Sequence, residues 1–254
     1  MNLNIKDGLV SLIIPTMSRS KLTSIKTLIK KRYLLRDALL DIKKNVSIPH
    51  EVIVICNSLE DKKLLKLIYD QSLVNKFILN SVNVGVPRSW NMGAEMAQGE
   101  YLCFVNDDVE IKKGAIEKLV ESMTDLQVGE VGPQGSMWYR KESGKLVNEI
   151  IPSEVDAISG WLFLTRRSVF DEVGGFDINY TPALCEEIDF SFAVRNAGYR
   201  CVVIPGINAE HHHISGASST SKPLKAFDIE TYREELTEKN RSYFEKKWEK
   251  FWND

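Results

Sequence analysis

The hydrophobic positions of the chain fall into short apolar runs, and most of these runs end abruptly at polar residues. Continuous runs of this kind are typical of strands that are buried on both faces of a sheet. They lie at residues 10–14, 51–56, 77–79, 101–105, 160–165 and 201–204. We predict a strand at each of these positions.

Helical patterns separate the predicted strands. They cover residues 24–44, 62–69, 167–173 and 190–195, and a further helix runs through Trp90 and Met96 and stops at Gly99. Strands that alternate with helices predict an α/β fold with a mostly parallel central sheet flanked by helices. Such sheets bind ligands at the carboxyl ends of their strands. We therefore expect three polar clusters to converge on one edge, namely Pro15-Thr16, Asn57 and Asn106-Asp107-Asp108.

The pattern changes beyond Gly129, where glycines and prolines punctuate the chain, and again near the carboxyl terminus. There, aromatic residues recur at helical spacing among many charges. We expect a domain over residues 1–228, made of two halves at about 1–128 and about 129–228. A C-terminal amphipathic helix is expected over 229–254. It could pack on the domain, dock on a membrane surface or form a homodimer contact.

Composition narrows the class of partner and the compartment. A net charge of -2 over 254 residues gives no basic excess, so nucleic acid is not an expected partner. The four cysteines, Cys56, Cys103, Cys185 and Cys201, contain no CxxC pair and suit reduced thiols. The first apolar run is too short for a signal peptide or a membrane span. We expect a cytoplasmic protein, with the inner face of the membrane as a further location.

Two acidic clusters are candidates for chemistry. Adjacent Asp107 and Asp108 after a strand can hold a divalent cation through oxygen, but acids there also form solvated turns or helix caps. Glu186, Glu187 and Asp189 stand together before an amphipathic segment. One of them could be a general base, or all three could simply favour the positive end of a helix.

The third candidate is the run His211-His212-His213. Imidazole binds Mn²⁺-like metals when carboxylates complete the ligand set, although a surface histidine run without a metal is equally typical. In an extended segment, His211 and His213 share one face and His212 points away.

The order of several motifs makes the chain similar to a known family. The motifs are SLIIPT at 11–16, NVG at 83–85, NMG at 91–93, AQGEY at 97–101, NDD at 106–108, SG at 159–160, RRSVF at 166–170, GGFD at 174–177, EEID at 186–189, and AGY at 197–199 after Arg195. Over about residues 9–220 the chain resembles glycosyltransferase family 2, the inverting nucleotide-sugar transferases of GT-A fold, and particularly its rhamnosyltransferase-like members. The resemblance implies a Rossmann-like nucleotide-binding fold.

The resemblance also implies roles for the donor side. Asp108, with Asp107 beside it, would bind Mn²⁺ or Mg²⁺ and the ribose and diphosphate of a nucleoside-diphosphate-sugar. His213 or His211 would be the late metal ligand. The implied base-binding elements are Pro15, Thr16 and Asn57, and the residues expected near the diphosphate are Arg88 and Asn91. Cys56 stands where the family usually has an aspartate, and Asn106 replaces another common aspartate.

On the acceptor side the resemblance implies that the second acid of the pair, Glu187, is the catalytic base. The family usually has the shorter aspartate there, so either the backbone compensates or Glu186 takes the role. The acceptor-side residues are Gly160, Trp161 and Asp189. Trp161 could be a platform for a sugar ring or part of the core, and Asp189, like Arg195, would have a structural or orienting role.

The implied function is metal-dependent transfer of a sugar to a hydroxyl of a saccharide, lipid-linked or protein acceptor, by a single displacement that inverts the anomeric carbon. Two alternatives stay open. A nucleotidyltransferase-like enzyme would also place acids and a metal at strand ends. A catalytically degenerate nucleotide-sugar-binding module would explain Asn106, Cys56 and Glu187.

Overall fold

The fold was analysed in a computed structural model, which describes residues 4–17, 33–138, 145–147, 150–213 and 223–252. Its strands are β1 (Lys6–Thr16), β2 (His50–Cys56), β3 (Lys76–Leu79), β4 (Gly99–Val105), β5 (Val109–Ile111), β6 (Val128–Gly132), β7 (Gly135–Met137), β8 (Lys145–Val147), β9 (Ser153–Val155), β10 (Ala157–Ile158), β11 (Leu162–Arg166), β12 (Arg200–Val203), β13 (Ala209–His211), β14 (Leu224–Ala226) and β15 (Ile229–Thr231). Its helices are α1 (Leu35–Asn45), α2 (Lys62–Ile68), α3 (Val86–Met96), α4 (Ala115–Glu121), α5 (Arg167–Val173), α6 (Glu186–Asn196) and α7 (Arg233–Lys247).

Eight strands form the central sheet, in the order β3-β2-β1-β4-β11-β6-β12-β9. The first four are parallel, β11 is antiparallel to both of its neighbours, and β6 and β12 are again parallel. The predicted α/β fold with a mostly parallel sheet between helices is confirmed. Short pairs outside this sheet matter for the site, above all β5 with β13.

The strand β1 shows why its apolar run is continuous. Leu12 and Ile14 pack on one face of the sheet with Leu39 of α1, whereas Ile13 packs on the other face with Trp90 of α3. Successive side chains of a strand point to opposite faces, so a strand covered on both sides needs apolar residues at every position. The helical layers on both faces therefore account for the nearly continuous apolar character of β1.

Two predicted helices have different bounds in the structure. The first was expected over 24–44, but α1 begins only at Leu35, because Leu34 is extended and its N–H bonds to Asp37 (3.2 Å). Residues 24–32 of that prediction lie outside the described residues. The last helix was expected from 229, yet Ile229–Thr231 forms β15 and pairs with β14, as its β-branched residues favour. The helix itself begins at Arg233.

The C-terminal helix α7 packs on the domain. Phe244 and Trp248 are buried against Phe192 of α6 and Tyr180, which together form a small aromatic core. Among the expected roles of this helix, packing on the domain is the one that the structure shows. No helix of the described ranges is both long and apolar enough to cross a bilayer.

Candidate active site

The ends of β1, β2 and β4 meet at one edge of the sheet. Thr16 closes β1 and donates from Oγ1 to Oδ2 of Asp107, which follows β4, over 2.6 Å. Asn57, directly after β2, donates its N–H to the carbonyl of Thr16 over 2.8 Å. Pro15 stands one residue earlier, in register with Ile55. The parallel register of neighbouring strands thus brings these sequence-predicted residues together.

Asn57 uses its side chain inside the protein. Its Oδ1 accepts from the Asn80 amide (3.0 Å) and from the N–H of Val84 (3.3 Å), and its Nδ2 donates to Ser89 of α3 (3.0 Å). The side chain therefore ties the end of β2 to the loop that begins α3. Cys56 is fully buried, and its thiol donates to the carbonyl of Ser58. It therefore cannot take the place of an aspartate at the surface of the site.

Two residues of α3 were expected near a diphosphate. Arg88 lies with its guanidinium 5.5 Å from the ring centre of Phe227, and its buried Nε has no hydrogen-bond partner among the described residues. Asn91 has a different role. Its Oδ1 accepts from the N–H of Phe176 (2.9 Å) and its Nδ2 donates to the carbonyl of Phe176 (2.8 Å). The Asn91 amide thus holds the backbone after α5, and its expected place near the diphosphate stays a prediction.

Asp108 and His211 meet through the pairing of β5 with β13. Nε2 of His211 lies 3.2 Å from Oδ1 of Asp108, and the ring of His213 lies 4.0 Å from that of His211. Nδ1 of His211 is buried without a hydrogen-bond partner in the part of the chain that the structure describes. Imidazole nitrogen beside carboxylate oxygen is a ligand set that suits Mn²⁺, and an unpartnered buried nitrogen fits a missing ligand.

His212 points to the other side of this segment. It stacks on Tyr33 at 4.5 Å, and its Nε2 lies 3.0 Å from Glu110. Glu110, Glu210 and His212 form a separate cluster whose possible metal-ligand atoms lie within 4.8 Å of one another. Lys112 already supplies a cation there, at 3.2 Å from Glu210 and 3.5 Å from Glu110. Lys112 therefore offsets part of the negative charge of this cluster.

Gly160 and Trp161 join the metal side to the acid side. The indole of Trp161 stacks on His211 at 5.6 Å and donates to Gln134 over 3.2 Å. At Gly160, an added Cβ would lie 2.9 Å from Cγ of Glu187. Only a glycine allows this approach. Contacts thus run without a break from Glu187 through residues 160–161 to His211 and Asp108.

The acid pair opens α6. Glu186 is buried, and burial together with the charge of Glu187 raises its pKa well above the ordinary value. Burial also raises the pKa of Glu187, although backbone N–H groups at the start of the helix oppose that shift. Burial thus favours the neutral form of both acids, and a charge on one disfavours a charge on the other.

Asp189 was expected on the acceptor side, but the structure turns it away. Its Oδ1 accepts from Tyr180 (3.0 Å) and Trp248 (2.8 Å), and its Oδ2 lies 2.8 Å from the Lys247 ammonium. The carboxylate is thus enclosed by α7 and cannot face an acceptor. This expectation is corrected, since a residue two positions after Glu187 on a helix points to a different side.

Two residues near the acids escaped the sequence analysis. Glu130 lies in β6, fully buried behind α6, where burial raises its pKa to about 8. The sequence feature that could have identified Glu130 is the presence of a glutamate within an otherwise apolar strand. Asn240 of α7 bonds to the loop before Glu186, and nothing in the sequence links the two.

Comparisons with known proteins bear on the family and the fold. The profile of Glycosyl transferase family 2 matches residues 31–174, more than half of the chain. An N-acetylglucosaminyl-diphospho-decaprenol L-rhamnosyltransferase of Mycobacterium tuberculosis is 36% identical over 98 residues, which is 37% of this chain and 29% of that protein. The O-antigen biosynthesis protein RfbC of Myxococcus xanthus is 23% identical over 92% of the chain and 20% of its own length. The chain therefore spans less than a third of each of these relatives.

Solved structures share the fold. GalNAc-T7 with UDP, GalNAc and Mn²⁺ superposes with a TM-score of 0.71 at 16% identity, over 96% of this chain and 50% of that one. The mannosyltransferase PcManGT of Pyrobaculum calidifontis, in complex with GDP-Man and Mn²⁺, gives 0.58 at 18% identity over 82% and 58%. The profile match, on a chain whose relatives and fold neighbours are glycosyltransferases, places this protein in glycosyl transferase family 2, with a GT-A fold.

Proposed function

We propose that the chain transfers a sugar from a nucleoside-diphosphate-sugar to an acceptor hydroxyl, with a divalent metal and with inversion at the anomeric carbon. The observation that carries the proposal is the unbroken set of contacts between Glu187, the 160–161 segment, His211 and Asp108. These contacts join a carboxylate base to an oxygen and nitrogen ligand set, and a displacement on a bound diphosphate donor requires both.

The donor side holds the metal and the nucleotide. Asp108 and His211 or His213 are the residues that would bind Mn²⁺ or Mg²⁺, and Thr16 fixes the adjacent Asp107. A divalent cation held there would neutralise charge on the diphosphate leaving group. Arg88, with its unpartnered Nε near Phe227, is the cationic side chain on α3 for the phosphates.

Glu187 is the proposed base. It accepts the proton of the acceptor hydroxyl while that oxygen forms a bond to the anomeric carbon, and the bond from this carbon to the diphosphate oxygen breaks. The raised pKa of Glu187 brings its basicity closer to that needed near neutral pH.

The acceptor enters on the side of Gly160 and Trp161, and its class is a saccharide, lipid-linked or protein hydroxyl. Trp161 already stacks on His211 and bonds to Gln134, so it serves the site as a wall between the metal and the acids. An acceptor sugar would contact the remaining edge of this indole.

The proposal is tested with a panel of nucleotide-sugars and Mn²⁺. We expect hydrolysis or transfer of at least one donor by the intact chain, and loss of both with EDTA. Asp108→Ala should abolish the Mn²⁺-dependent binding of the matching nucleoside diphosphate in calorimetry. Asp41→Ala, an acid on α1, is the control and should bind normally. Equal binding by the Asp108 variant and the parent would overturn the proposal.

A further inference from the structure

The loop in front of the acid pair adopts an unfavourable backbone. Leu184 and Cys185 have φ values of 78° and 76°, in the left-handed region that side chains other than glycine rarely occupy. Cys185 is also the N-cap of α6 and makes no capping bond with its side chain. Such a backbone persists only where its surroundings hold it in place.

The loop is held from two sides. From α7, the buried Asn240 donates its Nδ2 to the carbonyls of Ala183 (2.9 Å) and Leu184 (2.8 Å). From α3, the N–H of Val86 donates to the carbonyl of Pro182 over 2.8 Å. A Cβ on Gly85 would lie 2.7 Å from that same oxygen.

We propose that Asn240 is a positioning residue for catalysis: through the carbonyls of Ala183 and Leu184 it sets Glu187 relative to the donor-binding helix α3. The inference rests on the proposed function of Glu187 as the base. Asn240 lies in the primary sequence more than fifty positions after the acids, and its side chain is linked to them by its hydrogen bonds to this loop. The loop in turn contacts the first turn of α3, which also carries Arg88.

The placement makes a specific kinetic prediction. Removing the amide leaves two carbonyls without their donor and allows the strained turn to relax, which moves the start of α6. A displacement of about 1 Å at a catalytic group costs on the order of a hundredfold in rate. Binding of the nucleotide uses Asp108, the strand ends and Arg88, and the hydrogen bonds of Asn240 go instead to the carbonyls of Tyr180, Ala183 and Leu184. The turnover number should therefore fall while the donor affinity stays.

The test compares three variants with the parent chain. Asn240→Ala removes the amide, and Asn240→Ser keeps one donor as a milder change. Asn179→Ala is the matched control, since Asn179 also bonds to α7, through the Tyr243 hydroxyl (3.1 Å), but not to the loop. We measure kcat and KM for donor hydrolysis or transfer, nucleotide affinity with Mn²⁺, and hydrogen exchange of the amides at 183–189.

We expect kcat to fall at least about tenfold in Asn240→Ala and less in Asn240→Ser, with donor affinity within twofold of the parent. Exchange at 183–189 should rise in both, and Asn179→Ala should match the parent. Unchanged kcat in a folded Asn240→Ala, or an equal loss in the control, would overturn the proposal. If the parent itself has no activity, the proposed function fails, while unchanged exchange at 183–189 would separately refute the positioning by Asn240.

Discussion

The two halves of the site are built in different ways. The metal side, with Asp107, Asp108 and His211, stands at strand ends where backbone pairing fixes each residue. The acid side depends on a strained loop before α6, which α3 and α7 hold from outside. A site can thus combine a rigid ligand-binding edge with a base whose position is set by distant parts of the chain.

From this difference we expect that substitutions on the two sides impair different steps of the reaction. Changes on the metal side should weaken binding of the donor and the cation. Changes on the acid side should leave binding intact and lower the turnover number, because the base acts only as the reaction proceeds.

We expect Glu187→Gln to give the largest difference between the effect on turnover and the effect on donor binding. Loss of a general base typically lowers the rate by about 10² to 10⁴-fold, while the amide keeps the shape of the side chain. Donor affinity with Mn²⁺ should equal that of the parent in calorimetry. Unchanged turnover in this variant would assign the base to another residue, and Glu186→Gln, measured in parallel, would show whether it is the neighbouring acid.

Gly160→Ala tests the contact between the two sides. The added Cβ would lie 2.9 Å from Cγ of Glu187 and 3.0 Å from its Cβ, so the acid must move. A shift of about 1 Å should lower kcat on the order of a hundredfold, with KM for the donor unchanged. Steady-state kinetics decide this. Full activity would mean that Glu187 is free to move without cost.

On the metal side, His211→Ala should weaken Mn²⁺ binding by about tenfold to a hundredfold or more, the range seen when even outer-shell partners of a metal are removed. His212→Ala is the matched control, because its ring faces Glu110 and Tyr33 instead of Asp108. Titration of Mn²⁺ in the presence of a nucleoside diphosphate measures both. Equal losses in the two variants would contradict the assigned ligand.

The pH profile reports the acid pair. Because burial raises the pKa of Glu187, the ionised base forms only above the ordinary carboxylate range. Turnover should rise with pH through that raised pKa, and fall about tenfold per pH unit below it. The rise should be absent in the residual activity of Glu187→Gln. A rate independent of pH from 4.5 upward would contradict a raised base.

The smallest effect on function is expected from Glu130→Gln. Glu130 has a pKa of about 8 in the folded protein against 4.5 for the free side chain. The contribution of Glu130 to the free energy of unfolding is fully present below its pKa in the unfolded state. It is lost as the pH rises through its pKa in the folded state. At about 1.4 kcal/mol per pKa unit the loss reaches at most about 5 kcal/mol. Thermal melting from pH 4.5 to 9 should show a smaller decline in the glutamine variant, and an equal decline would refute this.

The fold and the meeting of the strand-end residues could be predicted from the sequence, and the surroundings of the acid pair could be predicted only in part. Apolar runs that end in Thr16, Asn57 and Asp107 specify strand ends, and a parallel sheet places them on one edge. Asp189 was misplaced because its partners, Lys247 and Trp248, come from a helix whose packing no local pattern reveals.

Asn91 and Asn240 were beyond sequence reasoning for a related reason. Each side chain binds backbone carbonyl or N–H groups, and every residue offers these. A hydrogen bond to a backbone group therefore does not restrict which amino acid stands at the position that supplies that group. By contrast, the Glu187 side chain lies so close to residue 160 that a Cβ there would collide with it. The glycine that this approach favours is visible in the sequence as the motif SG at 159–160.

The most direct test is a crystal structure of the chain with Mn²⁺ and a nucleoside diphosphate, with the metal located by its anomalous signal. The account predicts one Mn²⁺ bound by Asp108 and by His211 or His213, with the terminal phosphate facing Glu187 across residues 160–161. Mn²⁺ held instead by Glu110, Glu210 and His212, or a diphosphate on another face of the domain, would contradict it.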